Sequence, residues 1–185
     1  MIIIGITGTL GAGKGTIVDY LLQKKHFEHY SVRAFLIDEI KKRNIPVNRD
    51  SMVSVANELR QKHHPGYIVE ELYKLAVKNK KNAVIESIRT PGEIDLLQDK
   101  ENFYLLAVDA TAELRYNRIK LRQSETDHIT FDTFIENEKR EMFNEDPNKQ
   151  NLSICIKRAD FIIKNDGTID ELYIQLESIF QLIKK

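Results

Sequence analysis

The run Gly8-Thr9-Leu10-Gly11-Ala12-Gly13-Lys14-Gly15-Thr16 constrains this chain more than any other, because an apolar β-branched segment precedes it and a helical stripe follows it. Met1 to Thr7 reads as a buried strand, and Ile17, Val18, Leu21 and Leu22 share one helical face. Glycines at such a junction let backbone N–H groups turn inward around an anion. The helix start adds partial positive charge at the same point. Lys14 is then placed to reach the β- and γ-phosphates of a nucleotide. An ordinary glycine-rich turn would account for the glycines alone, but not for strand, helix and lysine together.

Further along, short β-branched runs alternate with longer stretches of helical period, the pattern of βαβ units in a parallel sheet. Buried strands are expected at Ala83 to Ser87, Phe103 to Asp109 and Asp160 to Lys164, with a shorter one at His29 to Val32. That makes five with the first. Thr90-Pro91-Gly92-Glu93 and Thr168-Ile169-Asp170-Glu171 each place a hydroxyl three residues before a carboxylate, as a capping box requires. Two stretches depart from simple alternation. About residues 46–79 hold two helices broken near His64-Pro65-Gly66. About residues 110–158 hold three, separated around Glu125 to Thr130 and Asp146-Pro147-Asn148. Both are expected to be insertions on the sheet edges of a single domain spanning residues 1–185.

With 185 residues, a chain can bury about 70% of the surface it exposes when unfolded. Lys and Arg number 28 and Asp and Glu 28, so no net positive field marks a nucleic-acid or anionic-membrane binder. One cysteine, Cys155, excludes an intrachain disulfide and a cysteine-rich zinc site. The longest apolar runs fall far short of the roughly 20 residues of a membrane span, and Met1 is followed by isoleucines rather than a charged leader. A cytoplasmic monomer or homodimer, acting on small molecules, is the expectation.

Gly13-Lys14-Gly15-Thr16 departs from the general phosphate-loop pattern, which has Ser or Thr directly after the Lys. In that departure the loop resembles those of adenylate kinases and related nucleoside monophosphate kinases, and the likeness runs over almost the whole chain. It is also similar to dephospho-CoA kinases. The resemblance implies a three-layer α/β P-loop NTPase fold with a helical lid. ATP and Mg²⁺ would be held by Gly8, Gly11, Ala12, Gly13, Lys14, Gly15 and Thr16.

Val84-Ile85-Glu86-Ser87-Ile88-Arg89-Thr90 resembles the family's third strand, where an acidic residue ends the strand and an Arg grips the acceptor phosphate. A carboxylate at the carboxyl end of a parallel strand faces the ligand crevice, so Glu86 is placed to hold Mg²⁺ through water and Arg89 to bind phosphate. Many relatives have Asp four residues before the Arg; here Glu stands three before. Arg115, Arg118 and Arg122 share one helical face without an acidic neighbour among them. This resembles the arginine approach to an adenylate kinase lid, and implies that Arg118 and Arg122 clamp the transferring phosphates. Arg140 would by the same likeness return from the far side of the lid. Asn165, in Asn165-Asp166-Gly167, resembles the last turn near the adenine ring.

The acceptor-base region matches least. The resemblance expects an Arg on the helix after the second strand where this chain has Ile37. Arg33 is the substitute, with Asp38 as a polar or general-base group, and Arg60 is a further substrate-binding candidate. The leading expectation is transfer of the ATP γ-phosphate to a small phosphorylated acceptor, first a nucleoside or deoxynucleoside monophosphate. Dephospho-CoA is the alternative acceptor, and a non-catalytic ATP-binding sensor or assembly factor is the rival of another class. A GTPase fits poorly, because no Asp-x-x-Gly follows the strand at Ala83 and no Asn-Lys-x-Asp occurs.

Overall fold

The computed structural model describes residues 1–122 and 129–183. Five strands form one parallel sheet: β1 (Ile3–Gly8), β2 (Glu28–Ser31), β3 (Ala83–Glu86), β4 (Phe103–Asp109) and β5 (Phe161–Lys164). Their spatial order is β2-β3-β1-β4-β5, with Ile3 opposite Ala83 on one side and Phe103 on the other. β1 is therefore central, which is why all six of its residues are buried and none needs to be polar outward.

Alternate side chains of the strands enter different cores, as the two-residue strand period demands. Ile3, Ala83, Ile85 and Leu105 join one cluster, which is completed by α2 (Val32–Lys42), α3 (Arg49–Lys62), α4 (Tyr67–Asn79), α5 (Pro91–Gln98) and α8 (Leu152–Lys157). Ile4, Ile6, Val84, Leu106, Val108 and Ile163 join a second cluster with α1 (Lys14–Lys25) and α9 (Ile169–Ile183). Helices thus cover both faces. Gly5 is needed on the first face, since a Cβ there would lie 2.6 Å from Ile88 Cδ1.

The chain leaves β1 through α1 towards β2 and leaves β3 through α5 towards β4, so adjacent strands send their connections in opposite directions. Such a reversal opens a crevice beyond the carboxyl ends of the strands. Gly8, Glu86, Asp109 and Lys164 end their strands there. The 46–79 stretch contains α3 and α4 as expected, broken at residues 63–66. α6 (Ala112–Arg122) and α7 (Phe131–Met142) lie in the 110–158 stretch. Of the expected break at Glu125 to Thr130, residues 125–128 lie outside the described residues; Thr130 caps α7, its side chain accepting from Thr133 N at 3.2 Å. Both sequence-read capping boxes form: Thr90 with Glu93, and Thr168 with Glu171.

Candidate active site

The loop after β1 curls back on itself. Gly8, Gly11 and Gly13 all have positive φ, a conformation that L side chains rarely adopt. Space forbids a side chain as well: a Cβ would lie 2.1 Å from Val108 O at Gly8, 2.4 Å from Arg115 O at Gly11 and 2.2 Å from Asn165 Nδ2 at Gly13. Gly15 differs, with nothing within 4 Å, so steric need does not explain it. Lys14 Nζ donates to the carbonyls of Gly8 at 2.9 Å and Thr9 at 2.7 Å, folding its side chain over the loop. Burial, with Arg89 adding to it, lowers its pKa from 10.5 to about 7, whereas Glu86 and Glu141 pull the other way. An ammonium held this weakly gains most from an arriving anion.

Neighbouring elements brace the loop. Asn165, buried at the end of β5, donates through Nδ2 to Ala12 O at 2.8 Å and through its backbone N to Asp109 O at 2.8 Å. Thr9 Oγ1 donates to Asp109 Oδ1 at 2.5 Å. Arg115 is buried and serves the same end. Its guanidinium donates to Ala110 O at 2.7 Å and Leu10 O at 3.3 Å, pairs with Glu138, and stacks over Phe134. The sequence reading of three arginines without an acidic partner on their own helix is completed at Arg115, whose acid comes from the next helix.

A cavity of about 640 Å³ opens beside the loop. Gly11, Gly13, Lys14, Gly15 and Thr16 line its floor, and Arg118, Arg122, Asn165 and Gly167 line one side. Arg118 Nη2 donates to Asn165 O at 2.9 Å, and the charge of Arg122 is close enough to depress Lys14. On the other side stand Glu86 and Arg89. Ser87 between them has φ 74, an uncommon conformation outside glycine that turns the chain so both neighbours line the cavity. Burial opposes the charge on Glu86, but His29 Nε2 at 3.2 Å and Lys14 prevail and hold its pKa below the usual carboxylate value.

The α2–α3 arm closes this second side. It supplies apolar Val32, Leu36, Met52, Val53 and Ala56 together with Arg33, Arg49 and Arg60. Arg33 is exposed, with Nη1 3.6 Å from Met52 Sδ. Arg60 is 1% exposed and donates to Glu93 Oε1 at 2.8 Å, so most of its charge is committed to the scaffold. Arg140 lies outside this cavity, 3.6 Å from Asp50 on the surface, and borders a smaller hollow. Asp38 is exposed and does not line the cavity.

Sequence reasoning missed Arg49 and Glu141. Both oxygens of the buried Glu141 carboxylate are taken, one by Arg49 Nη2 and the other by Arg89 Nη1 at 2.6 Å; Arg89 also donates to Gln150 Oε1 at 2.9 Å. No local signal announces this bridge, because its members lie on three separate elements. Among the described residues, Arg49 Nε, Arg60 Nη1 and Arg118 Nη1 are buried without a hydrogen-bond partner, and all three arginines line the cavity. Orphaned donors are costly, and three around one cavity fit a polyanionic ligand. For a magnesium ion, the Thr16 hydroxyl and the Glu86 carboxylate are oxygen donors lining the cavity, a set that suits an ion held largely by nucleotide phosphates.

A parallel sheet in this order, with a glycine cradle and lysine after its central strand, defines a kinase-like P-loop fold. The chain belongs to the AAA domain family AAA_18, whose model matches residues 4–144. It is 29% identical over 188 residues to a UPF0200 protein of Methanococcus vannielii, covering all of this chain and 96% of the relative. A UPF0200 protein of Pyrococcus abyssi is 26% identical, covering 98% and 96%. Among solved structures, a gluconokinase of Sinorhizobium meliloti aligns with a TM-score of 0.60 at 12% identity, over 99% of this chain and 94% of that one. A shikimate kinase of Bacteroides thetaiotaomicron aligns at 0.56 and 14% identity, over 100% and 99%. At these identities the likeness establishes the fold.

Proposed function

We propose that this protein is an ATP-dependent phosphotransferase whose acceptor is a small phosphorylated metabolite, first a nucleoside or deoxynucleoside monophosphate. One observation carries the reading: a glycine cradle with a weakly charged lysine opens on the same cavity as Arg49, Arg60 and Arg118, each of which has one buried nitrogen without a hydrogen-bond partner among the described residues.

The cradle, Lys14, Arg118 and Arg122 would hold the donor phosphates and spread positive charge over the migrating group, which is most of what phosphoryl transfer asks of a protein. Thr16 and Glu86 would hold a magnesium ion, which would supply further neutralisation of phosphate charge. Arg89 grips the acceptor phosphate, and the apolar wall of α2 and α3 receives a ring. Arg33 stands at the rim of that wall. A phosphate monoester loses its second proton near about pH 6, so its oxygen attacks without a dedicated base. A hydroxyl acceptor such as dephospho-CoA would need one; the exposed Asp38 is off the cavity, and Glu86 within it is paired with His29 and assigned to magnesium. This favours the monophosphate.

The test is to incubate purified protein and Mg-ATP with ribo- and deoxyribonucleoside monophosphates and dephospho-CoA, and to follow ADP and the phosphorylated product. Product from one or more monophosphates is expected. Turnover of dephospho-CoA alone would replace the acceptor, and ATP binding without turnover on any of them would make the protein a nucleotide sensor.

A further inference from the structure

Arg49 begins α3, Arg89 follows β3, and Glu141 stands near the end of α7, yet the three side chains meet at the wall of the main cavity. Arg49 and Arg89 are each about one-fifth exposed, whereas Glu141 is buried between them. Its pKa is lowered against the effect of burial by Arg89 first and then Arg49, so it is ionised. The arrangement is a two-guanidinium receptor occupied by a carboxylate from the same chain.

The fit of that carboxylate is incomplete. It has two oxygens, and both are used. Arg49 Nε remains buried without a partner among the described residues. A phosphate monoester brings three terminal oxygens and a second negative charge, which matches paired guanidiniums better than a carboxylate does. Exchange would also leave Glu141 a place to go. The smaller hollow, about 300 Å³, shares Val53, Glu141 and Gln150 with the main cavity and is lined also by two cations, Arg140 and Lys149, and one carboxylate, Asp50.

We infer that Arg49 and Arg89 form the acceptor's phosphate receptor, and that Glu141 is its resident counter-anion, displaced by the acceptor and setting a threshold against weaker anions. The inference rests on the phosphotransferase reading and adds Arg49 and Glu141 to it as specificity-determining residues. Glu141 cancels one of the receptor's two positive charges until a dianion arrives, so monoanionic carboxylates and inorganic monoanions, which could do no more, compete poorly.

Titration of the full-length protein with inorganic phosphate, followed through the arginine Nε–H resonances of Arg49 and Arg89, tests it directly and separates this receptor from the loop. The resonances are assigned from Arg49→Lys and Arg89→Lys. Glu141→Gln is expected to lower the phosphate Kd at these two resonances by about tenfold or more, since a competing charge is gone. Arg49→Lys in that background should reverse the gain while leaving ADP affinity unchanged. Equal or weaker phosphate binding by Glu141→Gln would overturn the inference; if that variant does not fold, Glu141→Asp, too short to bridge both guanidiniums, carries the same expectation. Turnover of a monophosphate by the wild type with unchanged phosphate affinity in Glu141→Gln would sink the receptor and keep the phosphotransferase. Tightened phosphate binding with no turnover would do the opposite.

Discussion

Asn165 Nδ2 donates to the Ala12 carbonyl at 2.8 Å, and a Cβ on Gly13 would lie 2.2 Å from that same nitrogen. The last strand thus holds the phosphate loop in shape through one amide, and the glycine beside it is bare because the amide fills the space. Gly13→Ala must break the bond and strain a φ of 102. It is expected to weaken ADP binding by about a hundredfold, roughly 2.7 kcal/mol, and Asn165→Ala by about tenfold. Calorimetric titration with Mg-ADP measures both; an unchanged affinity in Gly13→Ala would show that the loop does not cradle the nucleotide.

Lys14 couples nucleotide binding to protons. Its folded pKa of about 7 lies below the ordinary 10.5, so above neutrality the free protein holds it largely uncharged. Bound phosphates favour the ammonium, and near about pH 8 binding should take up as much as one proton. Calorimetry in buffers of different ionisation enthalpy reads that uptake. The sign for stability follows from the same shift. Between the two pKa values the unfolded chain binds more protons than the folded one, so this group makes the unliganded protein more stable as pH rises from 7 to 10.5. Lys14→Met should raise the thermal midpoint at neutral pH and flatten its rise across that window. Absence of both proton uptake and flattening would contradict the assigned environment.

The pair formed by Arg60 and Glu93 is unequal. Glu93 also accepts from the backbone N of Arg89 at 2.7 Å and of Thr90 at 3.1 Å, whereas Arg60 has Glu93 as its only hydrogen-bond partner among the described residues. Glu93→Leu therefore strands a buried guanidinium and unties the start of α5, and should cost about 3–5 kcal/mol. Arg60→Met leaves Glu93 two N–H donors and should cost distinctly less. Denaturant unfolding of the two variants decides the order; equal losses would mean the backbone bonds carry none of the carboxylate.

What could be read from the sequence was local. The glycine loop, the strand before it, the helix after it and both capping boxes depend on spacings of a few residues, and each formed at or within two residues of its expected place. That Arg115 has an acidic partner and braces the loop was not readable, because Glu138 reaches it from the following helix. Glu141 was hidden for a similar reason, standing 92 residues from Arg49 and 52 from Arg89. Ser87 had no signal either: its left-handed backbone, required to aim Glu86 and Arg89 at one cavity, is usually announced by glycine.

Arg89 touches both halves of the site, and its loss should separate them. Arg89→Ala removes one arm of the Glu141 bridge and with it the acceptor's phosphate contact, so the acceptor KM should rise by about a hundredfold or more, while that of ATP stays within about threefold. It also removes the cation that most depresses Lys14 after burial. The lysine then stays charged to higher pH, and the proton uptake on Mg-ADP binding near about pH 8 should shrink. A merely structural role for Arg89 would move both KM values together and leave the uptake as it was. A larger rise for ATP than for the acceptor would mean that the two sides of the cavity are exchanged.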